Sequence, residues 1–379
     1  MVDATSQAGR GGGGRPKNCG GGWRDRRRSG TYRDEHSAAR RSDRLPMTSL
    51  AATSSGQDLS KESRYRGLME RYLGPEVVAT FADDDVTEVY VNAGDGVLRA
   101  DTHSRGKVCL GAAVRGDQVE QFLGTVAAYR GDTLGPTTPS VQAELPAETF
   151  GGARLQGFVP PLVPRACFVI RKPARRVFTL ASYVEHGTMT SAQCQAIKDA
   201  VRDHENVLVC GGTGSGKTTL CNAVLLEMSE QYPRERVVVL EDTAELQCRA
   251  DDHLALRTVP GTGTGEGVSL SDLVRFTLRC TPDRIVVGEV RDGAALHLLD
   301  AWATGHPGGC ATVHATDAQG ALRRLDRLAQ RAGVPSQRAL VAEAVGVVVV
   351  IEGGNEGRRV RELVRVDGYR DGAYALHPI

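Results

Sequence analysis

The sequence predicts an α/β fold: a mostly parallel sheet with helices on both faces, preceded by a smaller α+β domain. Three observations carry this. Apolar runs at Val207–Cys210, Val237–Leu240, Ile285–Val287, Cys310–Val313 and Val345–Ile351 recur with helical stretches between most of them. Strands that are apolar throughout and separated by helices belong to a parallel sheet buried on both faces. Upstream the texture differs. Ser63–Leu73 and Gln118–Arg130 have helical periodicity, Glu88–Asn92 alternates like a strand, and Leu155–Arg171 holds two apolar strands around the Pro-rich turn Val159–Pro164. Finally, Lys172-Pro173-Ala174-Arg175-Arg176 forms a natural hinge, which divides the chain into a tail (1–58), an α+β domain (59–172) and an α/β domain (173–379).

The length of 379 residues suffices for two cores. Formal net charge is only +1, but it is unevenly placed: residues 1–46 hold eleven Arg/Lys against five Asp/Glu, +6, which leaves −5 for the rest. This tail is rich in Gly, Arg and Ser, with few large aliphatics, so it cannot bury enough surface to offset its ordering entropy and is expected to be disordered. Its readings are a solvated tail, an RGG-like RNA-binding segment, or an upstream extension of a chain that starts at Met47. The nine cysteines form no C-x-x-C pair, which points to reduced thiols and away from a disulfide framework or zinc site. No run approaches 18 apolar residues, so membrane association is expected to be peripheral.

After the strand Val207–Cys210 stands Gly211-Gly212-Thr213-Gly214-Ser215-Gly216-Lys217-Thr218, a full G-x-x-x-x-G-K-[ST] between a strand and a helix. Its glycines let consecutive backbone N–H groups point inward at phosphate oxygens, and the helix adds its positive end. Lys217 is placed to bridge the β- and γ-phosphates, and Thr218 to give its hydroxyl to Mg²⁺. Ligands of such sheets bind beyond the strands' carboxyl ends, so the remaining chemistry is expected at the other strand ends. Val237–Leu240 runs into Glu241, Asp242 and Glu245, carboxylates suited to holding Mg²⁺ through its waters and to orienting an attacking water. Ile285–Val287 leads to Glu289, the choice for the catalytic carboxylate. Arg291 and Asp292 are either part of this site or a local pair. Cys310–Val313 delivers His314 to the same edge as a γ-phosphate sensor, while His306 sits in a Gly/Pro turn that leaves its role open.

Four segments occur in fixed order: Gly-Gly-Thr-Gly-Ser-Gly-Lys-Thr-Thr (211–219), Leu-Glu-Asp-Thr-Ala-Glu-Leu (240–246), Pro-Asp-Arg-Ile-Val-Val-Gly-Glu-Val-Arg (282–291) and Ala-Thr-Gly-His-Pro-Gly-Gly (303–309). Together they resemble the Walker A, Asp, Walker B and His boxes of the secretion (traffic) ATPases of type II and type IV systems, and within them the TrbB-type conjugal-transfer group. The amino-terminal Leu73–Val77, Asp85–Val89, Arg154–Pro161 and Ile170–Pro173 are similar to that group too. The resemblance covers about residues 60–355 and implies a RecA-like P-loop ATPase domain in a hexameric ring. Nucleotide would lie at the hinge, and ATP turnover would drive a membrane-spanning secretion channel from the cytoplasmic face of the inner membrane. It implies roles for Lys217, Thr218 and Thr219 on phosphate and magnesium, for Glu289 in Walker B, and for His314 in the His box. Arg154 and Arg171 match arginines that approach nucleotide from the amino-terminal domain. Departures are Cys280-Thr281 before Pro-Asp, the Gly/Thr-rich loop 260–267, the basic tail, and the missing zinc tetracysteine of type II relatives.

The expected ligands are ATP and Mg²⁺, and the expected partners are further copies of the chain and inner-membrane channel proteins. Alternatives are a pilus-assembly or type II secretion motor, or a nucleotide-regulated docking module without significant turnover. Outside the tail no basic stripe with interleaved aromatics favours direct nucleic-acid binding.

Overall fold

The computed structural model describes residues 55–379 except 103, 174–176, 260, 262–266 and 355–356. The tail up to residue 54, the last three residues of the expected hinge and most of the Gly/Thr-rich loop therefore lie outside the described residues.

The first half runs α1 (Ser55–Leu73), α2 (Pro75–Ala79), β1 (Val86–Val91), β2 (Val97–Thr102), β3 (Gly106–Ala113), α3 (Gly116–Arg130), β4 (Ser140–Glu144), α4 (Ala147–Phe150), β5 (Arg154–Phe158) and β6 (Cys167–Arg171). Its six strands form one antiparallel sheet in the order β3-β2-β1-β6-β5-β4. Strand residues alternate across a sheet, so Val89, Val91, Leu155, Phe168 and Ile170 face one way and meet Met69, Leu73, Phe122, Leu123 and Val126 of α1 and α3. Edge-to-face rings, Phe81 on Phe150 at 5.1 Å and Phe122 on Phe168 at 5.8 Å, fill this core.

The second half runs α5 (Leu180–Glu185), α6 (Ser191–Arg202), β7 (Val207–Gly211), α7 (Lys217–Gln231), β8 (Val237–Glu241), β9 (His253–Arg257), α8 (Leu270–Thr277), β10 (Arg284–Val287), α9 (Ala294–Ala303), β11 (Cys310–His314) and α10 (Ala318–Ala329). A 3-10 turn (Gln330–Ala332), α11 (Arg338–Ala344), β12 (Val347–Gly354), β13 (Gly357–Arg370) and β14 (Ala373–Pro378) complete it. The sheet order is β14-β13-β12-β7-β11-β10-β8-β9. From β12 to β9 all pairs are parallel, and β13 and β14 add an antiparallel edge. Alternation sorts each buried strand between two cores. Val207, Val209, Val237 and Val239 pack with α5–α7, and Leu208, Cys210, Val238 and Leu240 with α8–α11. That two-sided burial is why these strands read as apolar throughout.

All five expected strands of this half are present. Missed were β9, β13 and β14 here, and β2, β3 and β4 in the first half. They carry polar or charged residues on an exposed face or lie at a sheet edge, so they lack the unbroken apolar run that marks a buried strand. Among the described residues no helix is long and apolar enough to cross a membrane.

Candidate functional site

The turn after β7 is built by close approach. A Cβ on Gly211 would stand 2.2 Å from the Ile351 carbonyl oxygen and 2.5 Å from Ser215 Oγ, so no side chain fits. Gly214 (φ 72°) and Gly216 (φ 97°) adopt the left-handed backbone that turns the chain into α7. The result is a cradle of backbone ending at a helix start. Ser215 is 3% exposed, and its hydroxyl has no hydrogen-bond partner among the described residues.

Lys217, the first residue of α7, is buried. Its Nζ donates to Gly212 O at 2.8 Å and lies 3.3 Å from His314 Nδ1. On the far side of that ring, His314 Nε2 stands 3.3 Å from Glu289 Oε1, and Arg291 Nη2 donates to Glu289 Oε2 at 2.7 Å. β7, β10 and β11 are adjacent in the sheet, so their carboxyl ends bring Lys217, Glu289 and His314 into one chain of contacts, as the sequence predicted.

The electrostatics follow from this packing. Burial lowers the Lys217 pKa, with Glu289 opposing the effect. His314 is lowered by burial and then by the Lys217 charge, so at neutral pH it is the neutral imidazole. The ammonium can only donate, so Nδ1 accepts and Nε2–H faces Glu289. Burial pushes the Glu289 carboxyl up, but Arg291, His314 and Lys217 together hold it below its ordinary value. Glu289 is thus a carboxylate fixed by Arg291.

The acidic loop after β8 is tied both to α7 and to its own strand. Thr218 Oγ1 donates to Glu245 Oε2 at 3.2 Å, and Asn222 of α7 clamps the loop by donating to Glu245 O (3.1 Å) and accepting from Gln247 N (2.7 Å). Glu241 and Asp242, both expected as magnesium residues, do not line the main cleft but share a smaller pocket with Thr218, Glu245, Glu289 and Arg291. The buried Glu241 Oε1 accepts the backbone N–H groups of Glu245 and Leu246 at 2.9 and 2.8 Å, which uses it to shape the loop. Asp242 accepts from Thr258 Oγ1 at 3.1 Å and stands 3.6 Å from Arg291 Nη1. Asp292 caps α9 through Ala294 N and is not the partner of Arg291. His306 contacts Pro282 O and takes no part in the cleft.

The cleft, ≈ 490 Å³, is walled on one side by Thr213, Gly214, Gly216, Lys217, Thr218, Thr219, Glu245, Glu289, Arg291 and His314. The opposite wall comes from the first sheet and includes Arg154 and Arg171. Arg171 Nε donates to Glu88 Oε1 at 2.6 Å, whereas Arg154 makes no ion pair among the described residues. Arg358, from β13, also lines the cleft, and sequence reasoning missed it because it sits among three other charged residues (358–362) of a strand without an apolar run.

A nucleoside polyphosphate fits this donor set: a backbone cradle closed to any side chain, an unsatisfied buried hydroxyl, and cationic groups on both walls. Mg²⁺ fits as well. It keeps several waters and uses one or two protein groups plus phosphate oxygens, and Thr218 with Glu245 and Glu289 nearby supplies such groups. Consistent with that sparse ligation, no cluster of three or more His, Cys, Asp or Glu among the described residues has the geometry to hold a metal alone.

Residues 145–352 match the family model described as Type II/IV secretion system protein. The chain is 40% identical over 320 residues to the probable conjugal transfer protein TrbB of Sinorhizobium fredii, covering 84% of this chain and 95% of the relative. The chain belongs to the type II/IV secretion ATPase family. Further members are the conjugal transfer protein TrbB of Rhizobium radiobacter (41%, 80% of this chain and 90% of the relative) and the type IV secretion system protein PtlH of Bordetella pertussis (33%, 76% and 91%). The fold agrees with the ATPase DotB of Legionella pneumophila (TM-score 0.53, 18% identity, 81% of each chain). It also agrees with the pilus retraction motor PilT, solved with bound ADP (TM-score 0.52, 16% identity, 80% and 81%). The first three boxes each span the carboxyl end of a strand of the second sheet, and the fourth is the turn that leads into β11.

Proposed function

We propose that this secretion ATPase hydrolyses ATP with Mg²⁺ to power a conjugative type IV apparatus, as a hexameric ring docked on inner-membrane channel proteins at the cytoplasmic face. The TrbB relatives favour the conjugative assignment. The observation that carries the enzymatic reading is the contact chain Lys217–His314–Glu289–Arg291 at the mouth of the phosphate cradle.

In this reading the glycine loop and Lys217 bind the polyphosphate, and Thr218 with Glu245 would hold magnesium, which would supply positive charge to the phosphates. Glu289 orients the attacking water. Its depressed pKa makes it a weak base, so it fixes the water's direction while the proton passes to the phosphate product. Phosphoryl transfer has little need of a strong base, because positioning and charge dominate. His314 holds Glu289 through Nε2–H and senses the terminal phosphate through its contact with Lys217. Arg154 and Arg171 approach the nucleotide from the opposite wall, where a free guanidinium supplies charge to the γ-phosphate.

Two measurements test the proposal. Steady-state phosphate release by wild type and Glu289→Gln should differ sharply, and equal rates would remove Glu289 from the mechanism. Mass in solution should reach a hexamer with a non-hydrolysable ATP analogue, and a monomer with and without it would overturn the ring.

A further inference from the structure

Arg358 stands apart from its neighbours on β13. Arg359 Nε donates to Glu352 Oε1, Arg361 pairs with Glu352 and Glu362, and Arg365 pairs with Glu205. Each is neutralised locally. Among the described residues Arg358 has no carboxylate partner, although it lies in the same charged run.

Its direction is set by the pleat. Val360 is buried in the core shared by β7, β12 and α7. Residues two apart on a strand share a face, so Arg358 emerges on the side of the sheet where α7 begins. There it lies over the phosphate loop: a Cβ on Gly216 would meet Arg358 Cδ at 3.0 Å and Nε at 3.3 Å. The pairing Gly353↔Arg358 holds it in place, and Gly353 itself backs onto Ser215. The bare glycine at 216 makes room both for the turn and for this guanidinium.

We propose that Arg358 is a nucleotide-binding residue of this chain, a guanidinium on the antiparallel hairpin that closes over the phosphate loop and pairs with the polyphosphate. An arginine with no carboxylate partner among the described residues, packed against Gly216 and lining the cleft, is matched to an anion, and its planar fork suits phosphate oxygens. The assignment rests on the nucleotide reading of the cleft. It adds a clamp from the carboxyl-terminal hairpin to the strand-end residues already described.

The test uses the full chain and fluorescent ADP, displaced by unlabelled ADP, by inorganic pyrophosphate and by adenosine, with Lys217→Ala as the control for the cleft itself. Arg358→Ala and Arg358→Gln should weaken ADP and pyrophosphate about 10-fold or more, the loss expected for a charge-assisted contact, and leave adenosine unchanged. Arg358→Lys should recover part of the loss. The same variants should bind ADP with a shallower dependence on salt. Unchanged ADP affinity in both Arg358→Ala and Arg358→Gln, with Lys217→Ala impaired, would overturn the clamp and leave the cleft reading intact. A loss for ADP and adenosine with pyrophosphate unaffected would assign Arg358 to the base and overturn a phosphate role. If wild type bound no ADP, or Lys217→Ala bound it equally well, the cleft reading would fall together with the clamp.

Discussion

At the residue scale the chemistry turns on Glu289, whose carboxylate is held on one oxygen by Arg291 and on the other by His314. Replacing it by Gln keeps shape and both contacts in part but removes the charge that aims the water. Glu289→Gln should lower phosphate release by about 100-fold or more while ADP affinity stays within a few-fold. Steady-state assay beside nucleotide titration separates these. A variant that lost binding and turnover in parallel would show Glu289 to be a structural brace. Lys217, Thr218, Glu289 and His314 were legible in the sequence because each directly follows or opens an element whose strand is a clean apolar run. The hydrogen bonds of Glu241 to its own loop were not legible. A carboxylate at a strand end reads the same whether it faces a magnesium ion or turns back to its own loop, and only packing decides.

At the element scale, that buried Glu241 joins β8 to the acidic loop, and burial pushes its carboxyl up to about 7. A pKa raised on folding means the protonated form is the one the fold favours. The stabilisation is complete below the ordinary carboxylate range, near 4–5, and is lost as pH rises through about 7. Glu241→Gln keeps a carbonyl for the N–H groups of Glu245 and Leu246 without the charge. In nucleotide-free protein its melting temperature should match wild type near pH 5 and equal or exceed it at pH 8. An equal drop at both values would show that the ionised carboxylate stabilises the loop. The start of β10 offers the opposite case. Arg284 is fully buried, donating from Nε to Glu235 Oε2 at 2.5 Å, from Nη1 to Gly308 O at 2.9 Å and from Nη2 to Val201 O at 3.2 Å. It ties the His-box turn to the end of α6. Arg284→Ala leaves Glu235 with His204 alone and takes a donor from each of two carbonyls, so urea unfolding should show a loss of about 2–3 kcal/mol. A change within the range of a surface substitution would mean the turn is held by other contacts. Sequence reasoning saw Pro-Asp-Arg only as a motif, because a single arginine beside a strand gives no sign of burial.

At the scale of the whole described molecule, two sheets face each other across the cleft, and the ties between them differ in kind. Arg257 of β9 donates to Glu144 of β4 at 2.7 Å, with both side chains substantially exposed. Pairs of this sort contribute about 0.2–1 kcal/mol, which is weak enough to break and reform in each cycle. Arg154 has no ion pair among the described residues and lines the cleft with the phosphate loop. If turnover moves one sheet against the other, the exposed pair is a passive contact and the unpaired arginine is the group whose position matters. Arg257→Ala should therefore leave kcat within about 5-fold of wild type, whereas Arg154→Ala should lower kcat by about 100-fold or more with ADP affinity little changed. Both rates come from the same phosphate-release assay at saturating ATP. The reverse ranking, a severe loss for Arg257→Ala and a mild one for Arg154→Ala, would mean that catalysis depends on holding the cleft closed by the surface pair. It would also mean that the guanidinium at 154 never reaches the reacting phosphate.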